Sequence, residues 1–127
     1  MPHPSIRITW KDGVLTGLLE ETPTSEKLLS ALPFTASAKT WGKEVYFSTP
    51  VEASLEADAT DVVEPGTICY WVEGRSLALP YGPTPISVGS ECRLVTRVNV
   101  VGKITGDPDA LATIGSGEAI RIERAAT

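Results

Sequence analysis

The chain has 127 residues, eleven Lys and Arg against sixteen Asp and Glu, a formal charge of −5 and 42% hydrophobic residues. That length suits a single domain over 1–127, and the apolar content excludes a disordered chain. The acidic excess without a basic cluster excludes nucleic acid as a partner, because phosphate neutralisation supplies most of that affinity. No apolar run approaches the ~20 residues of a membrane-spanning helix.

The chain opens on Met1-Pro2-His3-Pro4, with neither a basic nor an apolar region, so no secretory signal and a cytoplasmic setting are expected. His3 is the sole imidazole and sits at a Pro-flanked terminus expected to fray, which argues against a histidine-centred triad or metal site. Ser5-Ile6-Arg7-Ile8-Thr9-Trp10 then alternates polar with apolar, Lys11-Asp12-Gly13 punctuates, and alternation resumes over 14–19. Asp-Gly between two such runs predicts a hairpin. Thr22-Pro23 offers a helix N-cap followed by Pro at the first helical position. Glu26 follows, Leu28, Leu29 and Leu32 share one face, and Pro33 ends this short amphipathic helix.

Strands return from Phe34. Residues 41–47, Trp-Gly-Lys-Glu-Val-Tyr-Phe, read as one strand with Gly42, Glu44 and Tyr46 on one face and Trp41, Lys43, Val45 and Phe47 on the other. Residues 51–57 alternate as a further strand, 58–61 read as a loop, and Glu64-Pro65-Gly66 as a turn. Apolar strands follow over 68–72 and 76–81, broken by Glu73-Gly74 and by Gly82-Pro83-Thr84-Pro85. Two more are expected over 92–95 and 98–104. Gly106-Asp107-Pro108 opens a second short helix over 109–114 with Gly115 as its left-handed cap, and 119–123 forms the last strand. Eight or nine short strands with dense turn chemistry and two short helices predict a mainly β barrel or sandwich, and a barrel can hold a ligand at its mouth.

Catalytic chemistry finds little to work with. Cys69 and Cys92 lie 23 residues apart with no CxxC and no nearby His, so neither a metal nor a redox pair is expected, and both read as buried thiols. Ser116 in Gly115-Ser116-Gly117 lies between a helix and a strand, the reverse of a nucleophile elbow. No phosphate-binding glycine motif opens a helix, and Gly102 in Val100-Val101-Gly102-Lys103 reads as a bulge or a close approach. Glu44 beside Tyr46 has two readings: a desolvated acid or base, or a solvated carboxylate paired with a Lys on a neighbouring strand. Trp41, Tyr70, Trp71 and Tyr81 serve equally as core fillers or as stacking surfaces.

Thr40-Trp41-Gly42-Lys43-Glu44-Val45-Tyr46-Phe47-Ser48-Thr49-Pro50-Val51 resembles the hallmark of a family of small prokaryotic cyclophilin-like proteins. Val62-Val63-Glu64-Pro65-Gly66, Tyr70-Trp71, Gly82-Pro83-Thr84-Pro85-Ile86-Ser87 and Val98-Asn99-Val100-Val101-Gly102-Lys103-Ile104 extend the resemblance over about residues 5–124. It implies a closed antiparallel cyclophilin-like β-barrel of about eight strands with two short helices. It does not bring an activity. The Phe-His-Arg, Gln-x-Gly-Asp and Met-Ala-Asn motifs of prolyl-isomerising cyclophilins are all missing, and Arg75, Arg93 or Arg97, from another strand, is the candidate to replace the lost Arg.

The expectation is therefore a non-catalytic binder of a small molecule or extended peptide, without cofactor or metal. Its aromatic-lined face is expected to comprise Trp41, Glu44, Tyr46, Tyr70, Tyr81 and Thr84. A weak or atypical peptidyl-prolyl isomerase and an interaction subunit of a larger assembly are the alternatives.

Overall fold

The computed structural model describes residues 4–125; His3 lies outside them. β1 (Ser5–Trp10) and β2 (Gly13–Leu19) form the expected hairpin, with Trp10 opposite Gly13. A Gly13 Cβ would stand 2.7 Å from the Trp10 ring, so a larger residue there would have to displace that ring. Alternation sends Ile6, Ile8, Trp10, Leu15 and Leu19 into the core. Helix α1 (Pro23–Ala31) starts as the capping residues dictate, with Thr22 Oγ1 accepting from Ser25 N at 3.0 Å. Leu28 is buried, Leu29 and Leu32 are half-buried against the core, and Ser25 Oγ ties the helix to Val101 O at 3.0 Å.

The described residues form ten strands rather than about eight. The additional ones include β3 (Phe34–Ser37) and the two-residue β4 (Lys39–Thr40), which are followed by β5 (Glu44–Ser48). β6 (Thr60–Val63), β7 (Thr67–Trp71), β8 (Ser76–Pro80), β9 (Cys92–Ile104) and β10 (Ala119–Arg124) complete the set. The sheet runs β3-β10-β1-β2-β9-β7-β8-β5-β4, antiparallel throughout, with β6 paired to β9 off this path. Its two ends, β3 and β4, are separated in sequence by Ala38 alone. One extended segment thus pairs with β10, then with β5, and nearly closes the barrel; Ala38 N donates to Glu118 O and Gly117 N to Ala38 O, both at 2.8 Å. Barrel formation in this way leaves little free strand edge.

Several local expectations give way for identifiable reasons. Residues 51–57 are not a strand, because side chains take the backbone groups that a ladder would use. Tyr70 Oη donates to Val51 O at 2.6 Å, while Asn99 accepts from Glu56 N at 2.7 Å and donates to Ser54 O at 2.9 Å. The runs at 92–95 and 98–104 are one strand of 13 residues, β9, whose first half pairs with β6 and whose second half pairs with β7 and β2. β6 itself begins at Thr60, inside the expected loop. Gly102 carries both roles expected of it. The β7–β9 register shifts beside it, and a Cβ at this position would stand 2.2 Å from Leu18 O. The second helix is a 3-10 segment (Pro108–Thr113) capped by Asp107, and the left-handed glycine after it is Gly117 (φ 89°), not Gly115.

The strands β5, β7 and β8 bury both faces. Their inner residues Val45, Phe47, Ile68, Tyr70, Leu77 and Leu79 fill the barrel. On the outer face Cys69 and Ala78 join Leu94 and Val98 of β9 in a second, smaller core, with Tyr46, Val63 and Trp71 packed against it. The β6–β9 ribbon covers the outside of the wall.

Candidate functional site

A cavity of about 240 Å³ lies between that outer wall and β9, lined by Trp41, Glu44, Tyr46, Trp71, Ala78, Leu94, Val95 and Val98. It is on the barrel's outside, not at its mouth. The reason is register. Tyr46, Ala78 and Cys69 face one another across β5, β8 and β7, and the same alternation brings Glu44 and Trp71 to that face. The Tyr46 and Trp71 rings meet edge to face, with centroids 6.2 Å apart and planes at 84°. They make two walls of a corner.

Trp41 joins them through a turn. The strand begins at Glu44 rather than Trp41, and Gly42 adopts φ 58°, so the period-two alternation does not extend back through 41–43. Trp41 N donates to Glu44 O at 3.0 Å, folding Trp41 onto the face of Glu44 and Tyr46 instead of the opposite one. A Cβ at Gly42 would stand 2.9 Å from Thr84 Cα and 2.8 Å from Pro85 Cδ, so glycine is required both by φ and by space.

Glu44 is 7% exposed, and its Oε1 accepts no hydrogen bond. It takes part in none of the ion pairs found among the described residues. Neither Lys nor Arg lines the cavity. Burial pushes the Glu44 carboxyl up from 4.5 to about 7. The outer-face position expected of a solvated carboxylate is correct, but the ribbon removes the solvent. Trp71 Nε1 is likewise buried and donates to nothing. Burial foremost, with the charge of Glu44 contributing at Cys69 and those of Glu64 and Glu44 at Cys92, also pushes both thiols up, the opposite of an activated nucleophile. Among the described residues no group of three or more His, Cys, Asp or Glu is placed to hold a metal, and no helix is long and apolar enough to cross a membrane.

The other residues expected at this face sit elsewhere. Tyr70 is a core filler, 1% exposed, whose hydroxyl serves Val51 O. Tyr81 is half-buried against the barrel core. Thr84 is buried behind the Trp41 turn: its N–H donates to Ser87 Oγ at 2.9 Å and its hydroxyl donates to Arg93 O, which ties the turn to β9. Arg75 pairs with Glu52, and Arg93 with Glu91 and Asp61; with Arg97 they all stand outside the cavity lining. Trp71, Ala78, Leu94, Val95 and Val98 complete the lining, and only the fixed register could bring them there.

A cyclophilin-like family model matches residues 4–123. The solution structure of a hypothetical protein from Archaeoglobus fulgidus is similar at 34% identity and a TM-score of 0.83, covering 97% of this chain and 95% of that one. No curated protein matches.

Proposed function

The chain belongs to the cyclophilin-like family, and we propose that within this fold it is a non-catalytic binding protein whose outer-wall cavity takes a small molecule or a single side chain of an extended peptide. One observation carries this reading. Glu44 Oε1 and Trp71 Nε1 are both buried without a partner, and both belong to residues lining one otherwise apolar cavity. Buried polar groups normally find partners within the protein, because leaving one unsatisfied costs about 1–3 kcal/mol. Two such groups at one concave, aromatic-walled site fit a ligand that supplies what they lack. The volume, about 240 Å³, lies below the several hundred of a drug-sized pocket and selects a small occupant.

The test is a fragment screen by thermal shift, followed by mapping of hits by amide chemical shifts. A ligand at ~100 times its dissociation constant adds about 2.7 kcal/mol of stability. Hits that perturb β5, β7, β8 and β9 around the cavity support the reading. Binding mapped to other surfaces, or silence across the library, overturns it. Acceleration of X-Pro isomerisation in a short peptide that is lost on replacing Arg75, Arg93 or Arg97 would put catalysis in its place.

A further inference from the structure

The chemistry of the cavity narrows the ligand further, on the binding reading above. Three aromatic residues line it, Trp41, Tyr46 and Trp71, with the Tyr46 and Trp71 rings at 84° to each other. Its one carboxylate, Glu44, has no Lys or Arg beside it in the lining and enters none of the ion pairs among the described residues. Aromatic faces attract cations through their quadrupoles, most strongly where water is excluded. A buried carboxylate in such a site lacks a counter-charge that nothing in the lining provides. The remaining surface is Ala78, Leu94, Val95 and Val98, which offers no hydrogen-bond acceptors from side chains. An unmodified ammonium has three N–H donors and is strongly hydrated, and the only side-chain acceptors the lining sets against them are the Glu44 carboxylate and the Tyr46 hydroxyl, so its desolvation is poorly offset. A methylated ammonium presents an apolar surface and keeps its charge.

We propose that the ligand group held in this cavity is a methylated or quaternary ammonium, lined by Trp41, Tyr46 and Trp71 and neutralised by Glu44, while an oxygen elsewhere on the ligand accepts from Trp71 Nε1. In the unliganded protein burial holds the Glu44 carboxyl near 7, and a bound cation draws that proton off. Cation binding therefore tightens from about pH 6 to about pH 8. The thiols that feel Glu44, Cys69 on β7 and Cys92 on β9, are pushed up by burial and keep their protons over that range, while β8 brings only Ala78 and Pro80 against it.

The probes are tetramethylammonium, choline, a short peptide carrying trimethyl-lysine, and the uncharged carbon analogue of choline, dimethylbutanol. Tryptophan fluorescence and calorimetry read binding to the whole chain. At least one of the charged probes should bind about tenfold or more tighter than dimethylbutanol. Preference for choline assigns a free small molecule, and preference for the peptide assigns a modified side chain. Glu44→Gln, which keeps the shape, and Trp41→Leu, which keeps an apolar wall at a half-exposed turn, should each weaken the charged probes by about tenfold while dimethylbutanol is unaffected by the former. Equal binding of the charged and uncharged probes, or full affinity in Glu44→Gln, overturns the ammonium assignment while leaving the binding reading intact. Failure of every charged probe alongside fragments that do occupy the cavity overturns it too.

Discussion

Two polar side chains are buried on β9 and β5, strands that β7 and β8 separate in the sheet, and they are treated in opposite ways. Asn99 of β9, fully buried, donates to Thr24 Oγ1 and to Ser54 O, both at 2.9 Å, and accepts from Glu56 N at 2.7 Å. Thr24 in turn donates to Glu56 Oε2 from its backbone N–H, at 3.1 Å, and from its hydroxyl. Helix α1, the irregular segment after β5 and the long strand are locked by that network. Glu44 of β5 is nearly as buried and has an oxygen that bonds to nothing. The Asn99 network that serves architecture is saturated, whereas Glu44 and Trp71 in the cavity lining each keep an open polar atom; the other such atom, Glu118 Oε2, lies outside that lining.

The contrast breaks most visibly at Asn99. Asn99→Ala removes three hydrogen bonds and should cost about 3 kcal/mol in urea denaturation; a loss below about 1 kcal/mol would mean the network is not what holds α1 to β9. Glu44→Gln should act with the opposite sign. Its carboxyl rises on folding from 4.5 to about 7, so the folded protein holds that proton more tightly than the unfolded chain does. The penalty is absent below about pH 4, grows as the pH rises towards 7 and is complete above it. The variant should gain on the order of 2 to 3 kcal/mol at pH 8 and close to nothing at about pH 4. A gain equal at both pH values would remove desolvation as its cause.

Smaller changes sharpen the comparison. A Cβ at Gly74 would stand 2.2 Å from the Trp71 ring, so Gly74→Ala should push that ring out of the cavity wall. The expected cost is about 1–2 kcal/mol with a changed tryptophan emission; unchanged emission would show that the ring yields without leaving. The two tryptophans Trp10 and Trp71 repeat the contrast in miniature. Trp10 Nε1 donates to Thr113 Oγ1 at 2.8 Å, whereas Trp71 Nε1 has no acceptor. Thr113→Val should cost about 1 kcal/mol by thermal denaturation, and Trp71→Phe less than the equivalent change at Trp10, because it gives up no hydrogen bond.

Much of this was legible in the chain. Alternation, Asp-Gly, Thr22-Pro23 and Asp107-Pro108 mark where β1, β2, α1 and the 3-10 segment begin, since each depends on neighbouring residues alone. That Glu44 and Tyr46 share a face is also local, following from two-residue periodicity. Trp41 was misplaced because three residues of a strand pattern conceal a left-handed glycine, and the contact that demands it comes from Thr84-Pro85, some forty residues away.

The sequence by itself therefore determined a strand-rich fold, its turns, and which side chains lie on the same side of each strand, because these follow from backbone geometry over a few residues. It did not determine which side is inside. Tyr70 and Trp71 are adjacent and chemically alike, yet Tyr70 fills the barrel while Trp71 walls the cavity. Nor does any local pattern show that β9 outlasts the barrel and, with β6, covers the outer wall. Only strand register and that long-range pairing took water away from Glu44, turning a surface carboxylate into a buried one.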